Sequence, residues 1–138
     1  MTSRDNISNN TNGEHNNNIL VLDDELDITT VILNSLRRNG FNVFGFTNPF
    51  LALEHFKMNF KGYSIILSDL RMPGMNGFEF VKKSKEIKPE VKVLLMTAFD
   101  ISTNIVSEEF LSTKVNGFIQ KPVSNKELNS IIRKHIST

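Results

Sequence analysis

The chain has 138 residues, 39% of them hydrophobic, enough for one buried core and a remainder. With 16 lysines and arginines against 15 acids, the net charge of +1 excludes a bulk electrostatic pull toward nucleic acid or a membrane surface. No cysteine is present, which excludes disulfides, thiolate metal sites and cysteine nucleophiles, and no apolar run reaches the roughly 20 residues that span a bilayer, so a cytoplasmic protein is expected.

Residues 1–18, MTSRDNISNNTNGEHNNN, are rich in asparagine and carry only Met1 and Ile7 as apolar side chains. That composition cannot offset the entropy of ordering, so a disordered tail is expected, followed by one domain over 19–138. From Ile19 five short β-branched or aromatic runs follow: ILVL (19–22), FNVFGF (41–46), YSIIL (63–67), VKVLLM (91–96) and VNGFI (115–119). Most are nearly continuously apolar, the pattern of strands buried on both faces. The segments between them have helical spacing, clearest at Ile28, Val31, Ile32 and Leu36 and at Leu128, Ile131, Ile132 and Ile136. Asn48 before Pro49 fits a helix cap with proline at the first helical position, and Ser124 with Glu127 fits a capping box. Gly40 after Asn39 fits a helix stop. Strand then helix, five times over, predicts an α/β fold: a doubly wound, five-stranded parallel sheet with five flanking helices.

In such sheets, sites form beyond the carboxyl ends of the strands. Asp23, Asp24 and Glu25 stand there after the first strand, Asp69 after the third, Thr97 after the fourth and Lys121 after the fifth. Each has a plain structural reading: the acids as helix caps or solvated loop, Thr97 as a strand end, Lys121 as a loop residue. Together they form a set of carboxylates that repel one another unless a cation sits among them, and an all-oxygen donor set favours Mg²⁺, with Mn²⁺ as an alternative.

VLDDE, SDLRMPGMNGFEF, LLMTAF and GFIQKPV, in that order, resemble the receiver domain of two-component response regulators, the CheY-like superfamily, over residues 19–136. The resemblance implies a signalling domain and not an enzyme in its own right. It makes Asp69 the phosphoacceptor for a sensor histidine kinase or a histidine phosphotransfer protein. Asp24 then holds the metal directly and Asp23 mostly through water, with Asp69 and the backbone carbonyl of Arg71 completing the ligands. Lys121 pairs first with Asp69 and later with a phosphoryl oxygen, and Thr97 donates a hydroxyl hydrogen bond to another. The switch runs through Thr97 and Phe118, Arg71 and Phe99 border the path of the hydrolytic water, and the Lys121–Pro122 bond is cis. Pro73, Gly74 and Gly77 fit a tight turn, with Gly77 just before the helix that starts with FEF.

The resemblance also implies a downstream target protein, or a homodimer through the fourth helix, fifth strand and fifth helix. Ile101, Ile105, Val106, Phe110 and Leu111 bear on that surface. Only one helix follows Lys121–Pro122, so no output domain is expected after it, and a single-domain regulator or an excised fragment fits equally. The other reading is a degenerate receiver acting only as a protein-interaction module; retention of Asp23, Asp24, Asp69, Thr97 and Lys121 argues against it. A haloacid-dehalogenase-like phosphatase needs a D-x-D nucleophile after the first strand, which Asp23-Asp24-Glu25 does not supply. His15, His55 and His135 share no metal spacing. Lys82, Lys83, Lys85 and Lys88 alternate with Glu79, Glu86 and Glu90, the texture of a solvated face and not of a nucleic-acid patch.

Overall fold

The computed structural model describes residues 17–98 and 113–137. In chain order the elements are β1 (Asn18–Leu22), α1 (Leu26–Arg38), β2 (Val43–Phe46), α2 (Pro49–Asn59), a 3₁₀ turn (Phe60–Gly62), β3 (Tyr63–Asp69), α3 (Gly77–Ile87), β4 (Lys92–Thr97), β5 (Gly117–Gln120) and α4 (Asn125–Ser137). All strand pairings are parallel and the spatial order is β2-β1-β3-β4-β5. The sheet is the doubly wound, five-stranded parallel one expected. Four helices are described; the fourth of the five expected, with Ile101, Ile105, Val106, Phe110 and Leu111, lies outside the described residues, as does the tail from residue 1 to 16.

The apolar runs make a two-sided sheet because successive side chains point to opposite faces. Leu20, Leu22, Ile66, Val93 and Leu95 pack on one face against Ala52, Leu53 and Phe56 of α2 and Phe80 and Val81 of α3. Ile19, Val21, Ile65, Leu67, Leu94 and Met96 pack on the other against Ile32 and Leu36 of α1 and Leu128 and Ile132 of α4. The face alternates along the strands except at the start of β3, where Tyr63 shares a face with Ile66 and the register against β1 shifts between Asn18 and Ile19; beyond that point the alternation fixes the register. Among the described residues, no helix is long and apolar enough to cross a membrane.

Local signals hold where backbone chemistry is specific. The Asn48 side chain accepts from the N–H groups of Phe50 and Leu51, with Pro49 opening α2, and Ser124 Oγ accepts from Glu127 N. Gly40 N donates to Arg37 O and Phe41 N to Leu36 O, closing α1. That second bond ties Phe41 to the helix end, so β2 starts at Val43 and not at 41. Similarly β5 starts at Gly117: Asn116 before it donates its own N–H to Val93 O (2.9 Å), and its side-chain oxygen accepts from Val93 N (2.8 Å). Val31, assigned by spacing to the apolar face of α1, is 58% exposed. The buried face is Thr29, Ile32, Ser35 and Leu36, two of them small polar residues that let the helix lie close.

Candidate functional site

The strand order reverses between β1 and β3, because β1 has β2 on one side and β3 on the other. A crevice opens at the carboxyl ends of the strands flanking such a point. Here Asp24, Glu25, Asp69, Arg71, Thr97 and Lys121 line a cleft of about 380 Å³.

Asp23 lies buried beside it, with a carboxylate oxygen within 4.8 Å of those of Asp24 and Asp69. Its N–H donates to Phe46 O (3.1 Å), its Oδ1 accepts from Glu25 N (3.0 Å) and its Oδ2 accepts from Lys121 Nζ (2.9 Å). It is fully buried, and these bonds compensate a desolvation that an unpaired carboxylate could not bear. Asp24, one residue on, is exposed to the cleft. Asp69 is the last residue of β3, not the first beyond it, and is 8% exposed. Leu70 N donates to Met96 O (2.9 Å), carrying the β3–β4 ladder one residue past the acid. Thr97 ends β4, is buried, and its carbonyl accepts from Lys121 N (2.7 Å), which ties the last two strand ends together. The Lys121–Pro122 peptide is cis.

Carboxylate oxygens of Asp23, Asp24 and Asp69 all lie within 4.8 Å of one another. Burial of the Asp69 carboxyl, opposed by Lys121 and reinforced by the charges of Asp23 and Asp24, pushes its pKa up to about 6. Burial pulls Lys121 down, but its hydrogen bond to Asp23 and the charges of Asp69 and Asp23 outweigh it and the net shift is upward. Three acids and one lysine leave an excess of negative charge in a partly dry cleft. The donor set is all oxygen and its atoms are close enough to share one ion, so these residues fit a hard divalent cation.

The sequence-expected residues Asp23, Asp24, Asp69, Thr97 and Lys121 therefore converge, and Arg71 lines the same cleft. Lys121 differs from expectation in its grip: it lies 3.5 Å from Asp69 Oδ1 but closer to Asp23, the more deeply buried acid. Phe118 is half-buried, packs against the α2–α3 side of the core and meets Phe78 edge to face, with ring centroids 6.4 Å apart. Phe99 lies outside the described residues.

Gly77 is not a turn residue. It opens α3, capped by Asn76, whose side chain accepts from Glu79 N (2.9 Å). A Cβ at Gly77 would stand 2.8 Å from Asp69 O and 2.9 Å from Leu70 Cα, so only glycine lets α3 start against the strand end that carries the acid. Asn76 is not among the residues expected from the sequence, although its spacing to Glu79 is a capping signal; no local signal marks the close approach.

A profile described as "Response regulator receiver domain" matches residues 19–133. The chain is 31% identical over 115 residues to the phosphoglycerate transport system transcriptional regulatory protein PgtA of Salmonella typhimurium, covering 83% of this chain but only 26% of that protein's length. It is 29% identical over 117 residues to the response regulator receiver protein CpdR of Brucella abortus, covering 84% of this chain and 93% of that protein. A crystal structure of a response regulator receiver domain protein from Clostridium thermocellum superposes with a TM-score of 0.78 at 26% identity, covering 88% of this chain and 94% of the other.

Proposed function

The chain belongs to the response regulator receiver domain family, and from that premise we propose that Asp69 accepts a phosphoryl group from a sensor histidine kinase or a histidine phosphotransfer protein. The observation that carries the proposal is the cluster of Asp23, Asp24 and Asp69 oxygens within 4.8 Å, with one lysine reaching two of the three acids.

An Asp69 carboxylate oxygen attacks phosphorus, the bond from phosphorus to the donor's histidine nitrogen breaks, and the imidazole leaves with its electron pair. Asp69 is the nucleophile because it ends a strand at the cleft, whereas Asp23 is locked by Glu25 N and Lys121. Asp24, Asp69 and the Arg71 carbonyl, with Asp23 through water, would hold Mg²⁺ or Mn²⁺. The bound cation supplies charge neutralisation between a carboxylate and an anionic phosphoryl group. Lys121 and the Thr97 hydroxyl stabilise the transferred oxygens, and Lys121 leaves Asp23 in part to do so. Phe118 then takes up the space that Thr97 vacates. The surface around β5 changes with it and is read by a downstream target or by a second copy.

Incubation with Mg²⁺ and acetyl phosphate should add one phosphoryl group, which mass spectrometry places on Asp69, and Asp69→Asn should take up none. Equal uptake by that variant would overturn the assignment. No uptake by either protein, from acetyl phosphate or a kinase, would leave the chain as an interaction module.

A further inference from the structure

Thr29 is a polar residue on the buried face of α1, 3% exposed. Its hydroxyl has the usual helical acceptor four residues back, Glu25 O at 3.2 Å, but lies closer to Asp23 O, six residues back, at 2.9 Å. Thr30 beside it makes only the local bond, to Leu26 O at 2.9 Å, and is exposed. Thr29 thus joins the first helical turn to the strand end that carries the acids.

Its other side is fixed by Gly45 of β2, whose backbone pairs in register with Val21, two residues before Asp23. A Cβ at Gly45 would meet Thr29 Cγ2 at 2.9 Å and Leu33 Cδ1 at 2.8 Å. Leucine can swing its terminal methyl away; threonine in a helix has two χ1 rotamers, and leaving the present one gives up the bond to Asp23 O. β2 also supplies Phe46 O to Asp23 N. Asp23 is therefore held at its N–H from β2, at its carbonyl from Thr29 and at its carboxylate from Glu25 N and Lys121.

We infer that Thr29, seated on Gly45, is a positioning residue of the acidic turn: its hydroxyl fixes the Asp23 carbonyl and so aims the carboxylates of Asp23 and Asp24 at the cation. The inference rests on the divalent-metal reading of the cluster. Partners bonded directly to a ligating group typically change metal affinity by about 10- to 100-fold when removed, and Thr29, which acts one step further out on the Asp23 backbone carbonyl, is expected at the low end of that range.

The test is calorimetric titration of Mg²⁺ into the protein without phosphodonor, each variant first shown to be folded by circular dichroism. Thr29→Val should weaken Mg²⁺ binding by about tenfold, and Thr29→Ser, which keeps the hydroxyl, should stay within about twofold of the parent. Gly45→Ala, which moves Thr29 without removing its hydroxyl, should also weaken binding by about tenfold, whereas Thr30→Val should leave it unchanged. Parental affinity in Thr29→Val overturns the inference. If that variant does not fold, parental affinity in Gly45→Ala does so instead. A parent protein that binds no Mg²⁺ overturns the metal reading itself, an outcome distinct from parent and variant binding alike.

Discussion

Lys121 Nζ lies 2.9 Å from Asp23 Oδ2, a bond between the end of β5 and the end of β1 that spans the whole site. Asp23 is fully buried and the lysine side chain is 19% exposed, so the pair is screened little on the acid's side. Removing one partner of a buried pair leaves an uncompensated charge, which costs about 3–5 kcal/mol when both are buried. Lys121→Met should therefore lower the stability of the metal-free protein by about 2–3 kcal/mol, the lower figure reflecting the lysine's contact with water. Saturating Mg²⁺ should restore part of the loss, because the cation offsets the same carboxylates. Urea unfolding with and without Mg²⁺ reads both effects; identical midpoints for parent and variant in chelator would show that the bond is not a fold determinant.

The raised pKa of Asp69 sets a pH dependence with a definite sign. Between its ordinary value of 3.8 and about 6 in the fold, the folded state holds the proton more tightly than the unfolded chain does. The favourable contribution is fully present below pH 3.8 and is lost as pH rises through about 6. Two units correspond to on the order of 2–3 kcal/mol. In chelator, Asp69→Asn should thus become more stable than the parent as pH goes from 4 to 7. A parent-minus-variant difference that stays flat over that range contradicts the burial argument.

Asp24 and Asp23 are adjacent yet differ in consequence. Asp24 is exposed in the cleft, while Asp23 carries bonds from Lys121, Glu25 N and, at its carbonyl, Thr29. Asp24→Ala should cut Mg²⁺ affinity most and leave the unfolding free energy within about 0.5 kcal/mol of the parent, as surface changes do. Asp23→Ala should cut affinity less and lower stability more. The opposite ranking in paired titration and unfolding experiments would reverse the proposed ligand roles.

The ends of the strands were readable because acids, a hydroxyl and a lysine interrupt long apolar runs, so Asp23, Asp69, Thr97 and Lys121 stand out as breaks in a pattern. The helix caps at Asn48 and Ser124 were readable because a cap is a local hydrogen bond with local residue preferences. What the one-dimensional pattern could not carry is distance between elements. Val31 has the spacing of a core residue, but helix α1 rotates Thr29 and Ser35 inward instead. Lys121 was matched to Asp69 by motif, and only the packing of β5 against β4 and β1's acidic turn decides that Asp23 lies nearer. Gly77 has the look of a turn glycine, and its contact with the Asp69 carbonyl exists only once α3 is laid against β3.

That contact gives a fourth expectation. In Gly77→Ala the new methyl group meets two backbone atoms, Asp69 O and Leu70 Cα, and the Leu95 side chain within 2.9 Å. Backbone cannot step aside as a side-chain tip can, so α3 or the end of β3 must move, at a cost of about 1–3 kcal/mol. Because the displaced atoms belong to Asp69 and its neighbour, phosphorylation by acetyl phosphate should slow as well. Stability and rate both unchanged would show that the site tolerates the shift.

The lifetime of the phosphoryl group depends on what borders the line of attack opposite the bond to Asp69. By family resemblance those positions are Arg71 and Phe99. Arg71 is exposed and lines the cleft beside Asp69, and its guanidinium can lie along phosphoryl oxygens as a planar donor. It has no acceptor with which to orient an attacking water, and a phenylalanine has neither donor nor acceptor. Without a carboxylate or amide at either place, water that enters is not aligned, and the proposed aspartyl phosphate is expected to hydrolyse slowly until a partner supplies the missing group. Arg71→Asn with Phe99→Glu should speed loss by at least about tenfold, equivalent to roughly 1.4 kcal/mol of barrier. Phosphate-loss kinetics in excess Mg²⁺ measure this directly, and equal rates for parent and double variant would mean that neither side chain gates the water.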